Sequence, residues 1–539
     1  MKKNFFYPVI IILITLTACN NDKGEPGSQA SSDLASEKIA DATPDGIKTE
    51  ISAKNDIFEG GALEKLYSER QYKSLWRNGD ALYSFYNNLK EAEKEGLRFA
   101  DYHGEELDLL LSSSDLGEDE AARLDLLLSD AFLTYAKHLY FGKLDPTDLN
   151  ELWGVSRKKK DFSALLKKGV ESGDFDSIFE ELRPNHEVYK GLKRSLAEYE
   201  EIKEDKGPLS NIPEGELIKP GDRDSRLPAI AKRLIALRQF EGDTTALDSV
   251  YSEQLVEAVK EFQKSKSIQT DGIIGNSTIT ELNKGPKDRY LQLLANLERW
   301  RWYPRDLGAH YILINIPNFK LAVVKDGDTV REHNVVAGAK ERQTPIFSDT
   351  LDHLVINPTW TVPPTIKSQD IIPKIAANPG YLRSKNMEVT GPNGERVNPS
   401  SVDWSSDEAM SYTFTQVAGP SNPLGRVKIM YPNQYLIYLH DTPAKALFNQ
   451  TDRAESSGCV RVENAVDLSA YVVNDQSEWT KERIEEIIQT NETTVVKIDQ
   501  PIQVHHFYWT AWRAGGETVF INDVYELDKK IYSQLTASR

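Results

Sequence analysis

The 539-residue chain is poor in sulfur, with two cysteines and four methionines, and has no excess of positive charge. Two cysteines permit one disulfide at most, so a disulfide-stapled scaffold is excluded. The close ligand pairs of structural zinc sites, C-x-x-C or H-x-x-x-H, are absent too, and no metal or cofactor is expected. The 65 basic residues are outnumbered by 83 acidic ones; a net charge of −18 argues against nucleic acid as a partner. The local run Arg157 to Lys160 reads as solvated surface. The apolar stretch from Phe5 to Leu16 is too short to span a bilayer comfortably. What the chain does have is length, enough for two to four domains with separate cores.

Lys2 and Lys3 ahead of that stretch give it the form of an export signal. It ends in "LTAC", Leu16 to Cys19, which resembles the lipobox of bacterial lipoproteins. The resemblance implies a signal peptide over 1–19, with Cys19 as the lipidated first mature residue. The chain would then be held on a bacterial membrane, facing the periplasm. Plain signal-peptide cleavage beside an incidental cysteine is the alternative. If Cys19 is lipidated, Cys459 has no partner for an intramolecular disulfide. An unpaired thiol in an oxidising compartment points to chemistry, unless it is simply buried and inert.

Residues 20–54 are polar, lack aromatics and read as a flexible tether. Over 55–203 the pattern is helical: Leu124, Leu127, Leu128, Ala131, Tyr135 and Leu139 mark one buried face of a scaffold domain with no catalytic cluster. A breaker-rich linker, 204–226, leads to a small helical unit over 227–284. There Leu255, Val259 and Phe262 share a face, and Asn276 or Ser277 is placed to cap the last helix. "AVKEFQKSKSIQTDGIIGNSTITELN" resembles the peptidoglycan-binding domain that accompanies many wall enzymes; a three-helix spacer that binds nothing is the other reading. From Tyr311 the period becomes two, with Asp326-Gly327 at a hairpin turn, so a β-rich domain begins near 308 and runs to 497. The tryptophans of "ERWRWYPRDLG" are expected to pack between domains, stacking on glycan being the alternative. Residues 360–431, rich in proline, glycine and asparagine, are too long for an ordinary loop and suggest a lid or binding insertion. In 498–539 a hairpin around Gly515-Gly516 is expected to return to the sheet. His505 and His506 should face opposite sides of a strand as surface or packing residues. The whole is thus a multi-domain α+β chain.

Two residues in the β domain carry the chemistry. "IYLHDTP" puts His440 at a strand end, and "SSGCV" puts Cys459 after a glycine turn, with the helix-like "ENAVDLSAYVV" close behind. Amides of a turn leading into a helix would offer a positive field for a thiolate and donors for an oxyanion. A thiol of ordinary pKa, about 8.5, needs a base or such a field, and His440 is that base if the fold brings the two together.

"YLHDTP…SSGCVRVENAVDL" resembles the active-site motif of the L,D-transpeptidases. "NIPNFKLAVVKDG", "TPIFSDTLDHLVINPTWTVPPTI" and "AGPSNPLGRVKIMYPN" resemble further strands and connections of the same catalytic domain. The upstream scaffold and peptidoglycan-binding unit make the chain look like the large multi-domain branch of that family. The resemblance implies Cys459 as nucleophile, His440 as general base, the Asp441 carbonyl as the group orienting the imidazole, and the amides of Gly458 and Cys459 as oxyanion donors. Ser457 stands where many members have a histidine, as is common in the large branch. Arg461 matches the family arginine, meeting a substrate carboxylate or bracing the turn; Tyr438 is a wall residue. The implied reaction is acyl transfer on peptidoglycan stem peptides, giving 3→3 cross-links with release of D-alanine. A hydrolase such as an L,D-carboxypeptidase is the nearest rival, and a non-catalytic wall-binding lipoprotein the rival from another class. Partners are peptidoglycan stem peptides and glycan, and a membrane through Cys19.

Overall fold

The computed structural model describes residues 42–53, 56–155, 159–204, 210–237, 239–241, 249–378, 380–473 and 478–537. The export signal, Cys19 and residues 20–41 of the expected tether lie outside them. The chain divides into two compact units. One holds the residues up to Leu89 with His103–Leu133 and Ser163–Ile178; the other holds Lys90–Tyr102, Thr134–Phe162 and everything from Phe179 on. Segments of the expected scaffold, 55–203, fall in both. No helix among the described residues is long and apolar enough to cross a membrane.

In the first unit the expected tether is corrected over its last turns. Pro44–Ala53 is a helix whose Ile47 and Ile51, four residues apart, bury on one face. The core beside it clusters Trp76, Phe85, Phe132 and Phe175, with ring centroids 5.1–5.7 Å apart. The buried carboxylate of Asp125 accepts from the Tyr67 and Ser74 hydroxyls, both at 2.6 Å, and from the amides of Leu75 and Trp76, both at 2.9 Å. That many donors replace the water the carboxylate lost. Helix Glu118–Phe141 was expected to bury one face. Asp125, Leu126, Ser129 and Asp130 are buried as well, so its middle is enclosed on all sides.

The second unit is built on a 12-stranded mixed sheet. From one edge the strands run Trp153–Gly154, Ile346–Thr350, Gln503–Phe507, His310–Asn315, Lys320–Lys325, Asp328–Gly338, Val460–Val462, Leu439–His440, Val427–Met430, His353–Ile356 and Thr494–Lys497. Ala454–Ser456 pairs parallel to Asp328–Gly338 off this path. The hairpin turn expected at Asp326-Gly327 is present, both residues having positive φ. Helix Pro286–Trp302 is buried along nearly all its length, and Arg299 meets Asp528 at 2.5 Å. Trp300 and Trp302 lie in the main core against Trp509 and Trp153, so these tryptophans pack and do not face a ligand.

The C-terminal expectation is corrected. The hairpin Ala511–Ala514/Glu517–Phe520 pairs only with itself. The segment that enters the sheet is Gln503–Phe507, parallel to His310–Asn315 and antiparallel to Ile346–Thr350. A strand carrying two adjacent histidines can be interior because each ring finds partners. His505 bonds Ser348 Oγ at 2.8 Å and the Leu307 carbonyl at 2.9 Å, and His506 Nε2 bonds the Tyr431 hydroxyl at 2.8 Å. The expected tail is a helix, Leu527–Thr536, burying Leu527, Ile531 and Leu535.

Two smaller cores complete the second unit. Leu227–Ala236, Glu253–Ser265 and Asn276–Asn283 form a three-helix unit around Leu255, Val259, Phe262 and Leu282. Ile212 and Ile218 of the expected linker join that core. The cap of its last helix is Gly275, with no side-chain bond; Asn276 is already helical. The insertion after residue 360 has a core of its own, including Ile375, Val389, Trp404 and Phe414, under a three-stranded sheet of Trp360–Thr361, Met387–Thr390 and Thr413–Gln416. Val427–Met430, expected within the insertion, belongs to the large sheet.

Candidate active site

Strand alternation builds the site. Ile437, Leu439, Val460, Val462, Val427 and Ile429 all point into the main core. The residues between them must then lie on the opposite face. The register pairs Lys428 with His440 and His440 with Arg461, which places the three side by side. Tyr438 precedes His440 by two residues, and Cys459 precedes Arg461 by two. Five polar side chains from three adjacent segments therefore share one surface, each put there by a hydrophobic neighbour.

Cys459 follows Gly458, whose φ of 110° is closed to other residues without strain. Ser456 Oγ donates to the Cys459 carbonyl at 2.6 Å and accepts from the Gly458 amide at 3.2 Å, while Thr344 Oγ1 donates to the Gly458 carbonyl at 2.8 Å. The Gly458 amide, expected to face an oxyanion, is thus occupied by Ser456. The helix expected close behind is present, but the turn does not run straight into it. Strand Val460–Val462 comes first, and the helix Ala465–Val473 begins six residues after the cysteine. Positive charge near the sulfur comes from Lys428 and Arg461 instead.

His440 is buried, and its Nδ1 donates to the Asp441 carbonyl at 2.5 Å. That bond fixes the tautomer with Nε2 as the acceptor. Asp441 is itself anchored: its amide bonds the Val427 carbonyl at 2.9 Å, and its carboxylate accepts from the Arg426 amide at 2.9 Å and from Lys445. Burial, reinforced by the Arg461 charge, pushes the His440 pKa down to about 3, so the ring is neutral. Burial raises the Cys459 thiol above its ordinary value, against hydrogen bonds from Tyr438 and the charges of Lys428 and Arg461. A neutral thiol and a neutral imidazole are the resting pair. Arg461 is half-buried, and its Nε has no hydrogen-bond partner.

The site opens into a cavity of about 470 Å³. One wall is the insertion, through Trp360, Pro364 and Ile366; another is the loop of Arg342 and Gln343. Arg342 Nη1 donates to Asp370 of the insertion at 2.6 Å and to the exposed Ser457 hydroxyl at 3.0 Å, and its Nη2 donates to Gln369 at 2.8 Å. The sequence reading brought forward Cys459, His440, Asp441, Gly458, Ser457, Tyr438 and Arg461, and all of them gather here. It missed Lys428, Arg342 and Asp370. The alternation in "RVKIM" carried a signal for Lys428, a charge flanked by two core residues.

Comparison with known proteins matches three segments of the chain. Residues 309–498 match the family model of the L,D-transpeptidase catalytic domain, 223–282 that of a "Putative peptidoglycan binding domain", and 61–196 that of a scaffold domain. A curated relative from Haemophilus influenzae, named "Putative L,D-transpeptidase", is 38% identical over 241 residues, covering 44% of this chain. The match spans about half of that relative, 48% of its length. Two solved L,D-transpeptidase structures also align. The one from Xylanimonas cellulosilytica is 15% identical over 56% of this chain and 100% of that one, with a TM-score of 0.18. The one from Stackebrandtia nassauensis is 13% identical over 57% and 99%, with a TM-score of 0.19. Likeness at that level says nothing about activity.

Proposed function

We propose that the chain is a cysteine-dependent L,D-transpeptidase acting on peptidoglycan stem peptides. The observation that carries this is the His440 ring, neutral and locked by the Asp441 carbonyl, on the same sheet face as Cys459 within a segment matching the catalytic-domain model. Cys459 Sγ bonds to the carbonyl carbon of the third stem residue while its proton passes to His440 Nε2. The tetrahedral oxyanion is met by the Cys459 amide, and by that of Gly458 once Ser456 Oγ releases it. Collapse breaks the amide bond, and His440 returns the proton to the departing amine of D-alanine. An acceptor amine, its proton taken by His440, then attacks the thioester, breaks the C–S bond and frees the thiol. Atoms and protons balance without a metal. A stem-peptide amine gives a 3→3 cross-link; a free D-amino acid or an amine on an envelope protein would serve the same chemistry.

Arg461, half-buried and lining the cavity, has a charge suited to a substrate carboxylate, and Ser457 and Tyr438 line the same space. The three-helix unit would hold glycan nearby. Export, lipidation at Cys19 and anchoring in the cell envelope belong to the same proposal, since the polymer lies there.

The test is to incubate the soluble protein with disaccharide-tetrapeptides and weigh the products. A dimer lacking one D-alanine supports transpeptidation; tripeptide alone points to an L,D-carboxypeptidase. Cys459→Ala protein that still corrects a deletion strain would leave only a wall-binding role.

A further inference from the structure

Lys428 lies in the interior strand Val427–Met430, between two core residues and directly across from His440. Its ammonium sits 3.9 Å from the centroid of the Tyr438 ring. A lysine at such a place is ordinarily paired with a carboxylate. This one forms no ion pair among the described residues, and the ionisable group that favours its charge is Cys459. Tyr438 lines the cavity beside Cys459 and works against the burial that raises its thiol, while the sulfur itself lies 3.8 Å from the Leu436 carbonyl. Lysine, tyrosine ring and cysteine therefore share one face of the sheet.

We propose that Lys428 is a positioning residue for the nucleophile: seated on the Tyr438 ring, its ammonium holds that side chain beside Cys459 and supplies positive charge to the thiolate as the proton leaves. This rests on Cys459 being the nucleophile. The need arises from two features already described. No helix begins at the cysteine, so the backbone offers little field there. His440 is neutral in the resting state and offers no charge. The groups around the sulfur are the Leu436 carbonyl, Tyr438, Lys428, Arg461 and His440; the two cations are the only charges among them that favour a thiolate.

The same two cations act on His440 in the opposite sense, disfavouring its imidazolium. The proton taken from sulfur is thus held weakly and is readily passed to the departing amine. One charge arrangement serves both halves of the transfer: it stabilises the anion left on sulfur and keeps His440 a good acid once protonated. Tyr438 and its ring are what place Lys428 for this, through a cation–π contact that dehydration strengthens.

The test is the pH dependence of Cys459 alkylation by iodoacetamide in the whole protein, read peptide by peptide by mass spectrometry so that Cys19 is separated. Lys428→Met is expected to raise the midpoint by about one pH unit. The alkylation rate at pH 7 then falls about threefold, because a more basic thiolate is also a better nucleophile. Lys428→Arg should restore most of the midpoint. Tyr438→Phe, which keeps the ring and removes the hydroxyl, should raise it as well, and the two effects should combine to less than their sum. A folded Lys428→Met protein with the wild-type midpoint overturns the proposal, as does a Tyr438→Phe midpoint equal to wild type should Lys428→Met fail to fold. Alkylation needs no peptidoglycan, so an unchanged midpoint removes the role of Lys428 alone. A normal thiol that makes no product from tetrapeptides removes the reaction.

Discussion

His440 Nδ1 lies 2.5 Å from the carbonyl oxygen of Asp441, the next residue in the chain, and that carbonyl is aimed by an aspartate whose own side chain is tied to the Arg426 amide and to Lys445. A backbone carbonyl therefore does what a carboxylate does in many catalytic triads: it orients the ring and selects its tautomer. It does so without a full negative charge, so the imidazole is left weakly basic in its buried setting.

The first prediction concerns that ring. His440→Gln should lower acyl transfer on tetrapeptides by about 10²–10⁴-fold, the usual worth of a positioned acid–base group. Cys459 should remain open to alkylation at high pH, where no base is needed. Product mass spectrometry and iodoacetamide labelling at pH 10 check the two halves.

A second concerns Gly425, a residue remote from the sequence motif. Its φ is +63°, and a Cβ there would fall inside the Asp441 carboxyl group. Gly425→Ala should shift Asp441 and with it the carbonyl that holds His440. The expected cost is about 1–3 kcal/mol of stability, read as a lower thermal midpoint. Because Gly425 does not line the cavity, kcat should fall more than KM rises.

The third is a pH dependence. His506 is buried on the interior strand, and burial lowers its pKa to about 3, from an ordinary value near 6.5. The folded state holds it neutral while the unfolded chain takes up a proton below about pH 6.5. The stability this neutrality contributes is complete above that value and is lost as the pH falls toward 3. Asp523, raised to about 6 by burial beside Asp528, works in the opposite sense and gains from acidification. The comparison is therefore between variants. His506→Gln should flatten the fall in thermal midpoint between pH 6.5 and 4 relative to wild type, whatever its effect at pH 8.

The fourth concerns the wall made by the insertion. Arg342 joins Asp370 and Gln369 to Ser457, two residues before Cys459. Asp370→Asn removes the charge from this tie. Alkylation of Cys459 by a bulky maleimide should become several-fold faster, with iodoacetamide changed less. Equal changes for both reagents would mean that the thiol's chemistry, and not its access, had altered.

Much of the site is written in the order of residues. An unpaired cysteine after glycine, a histidine at a strand end and a matching motif were enough to bring Cys459, His440, Asp441 and Arg461 forward. Alternation of core and polar residues in three short segments then determined that Cys459, His440 and Arg461 share a face, because a strand can bury only every second residue. The sequence alone did not determine which segments are neighbours. Trp153–Gly154 is a two-residue edge strand too short to have a period, and "VHHF" hides an interior strand because its burial depends on partners at Ser348, Leu307 and Tyr431. Lys428 reads as an ordinary lysine until the register sets it against His440 and over Tyr438, 12 and 10 residues further along. Periodicity is a local property and survives in the chain; the charge at a sulfur is a sum over neighbours, and only the folded sheet decides who they are.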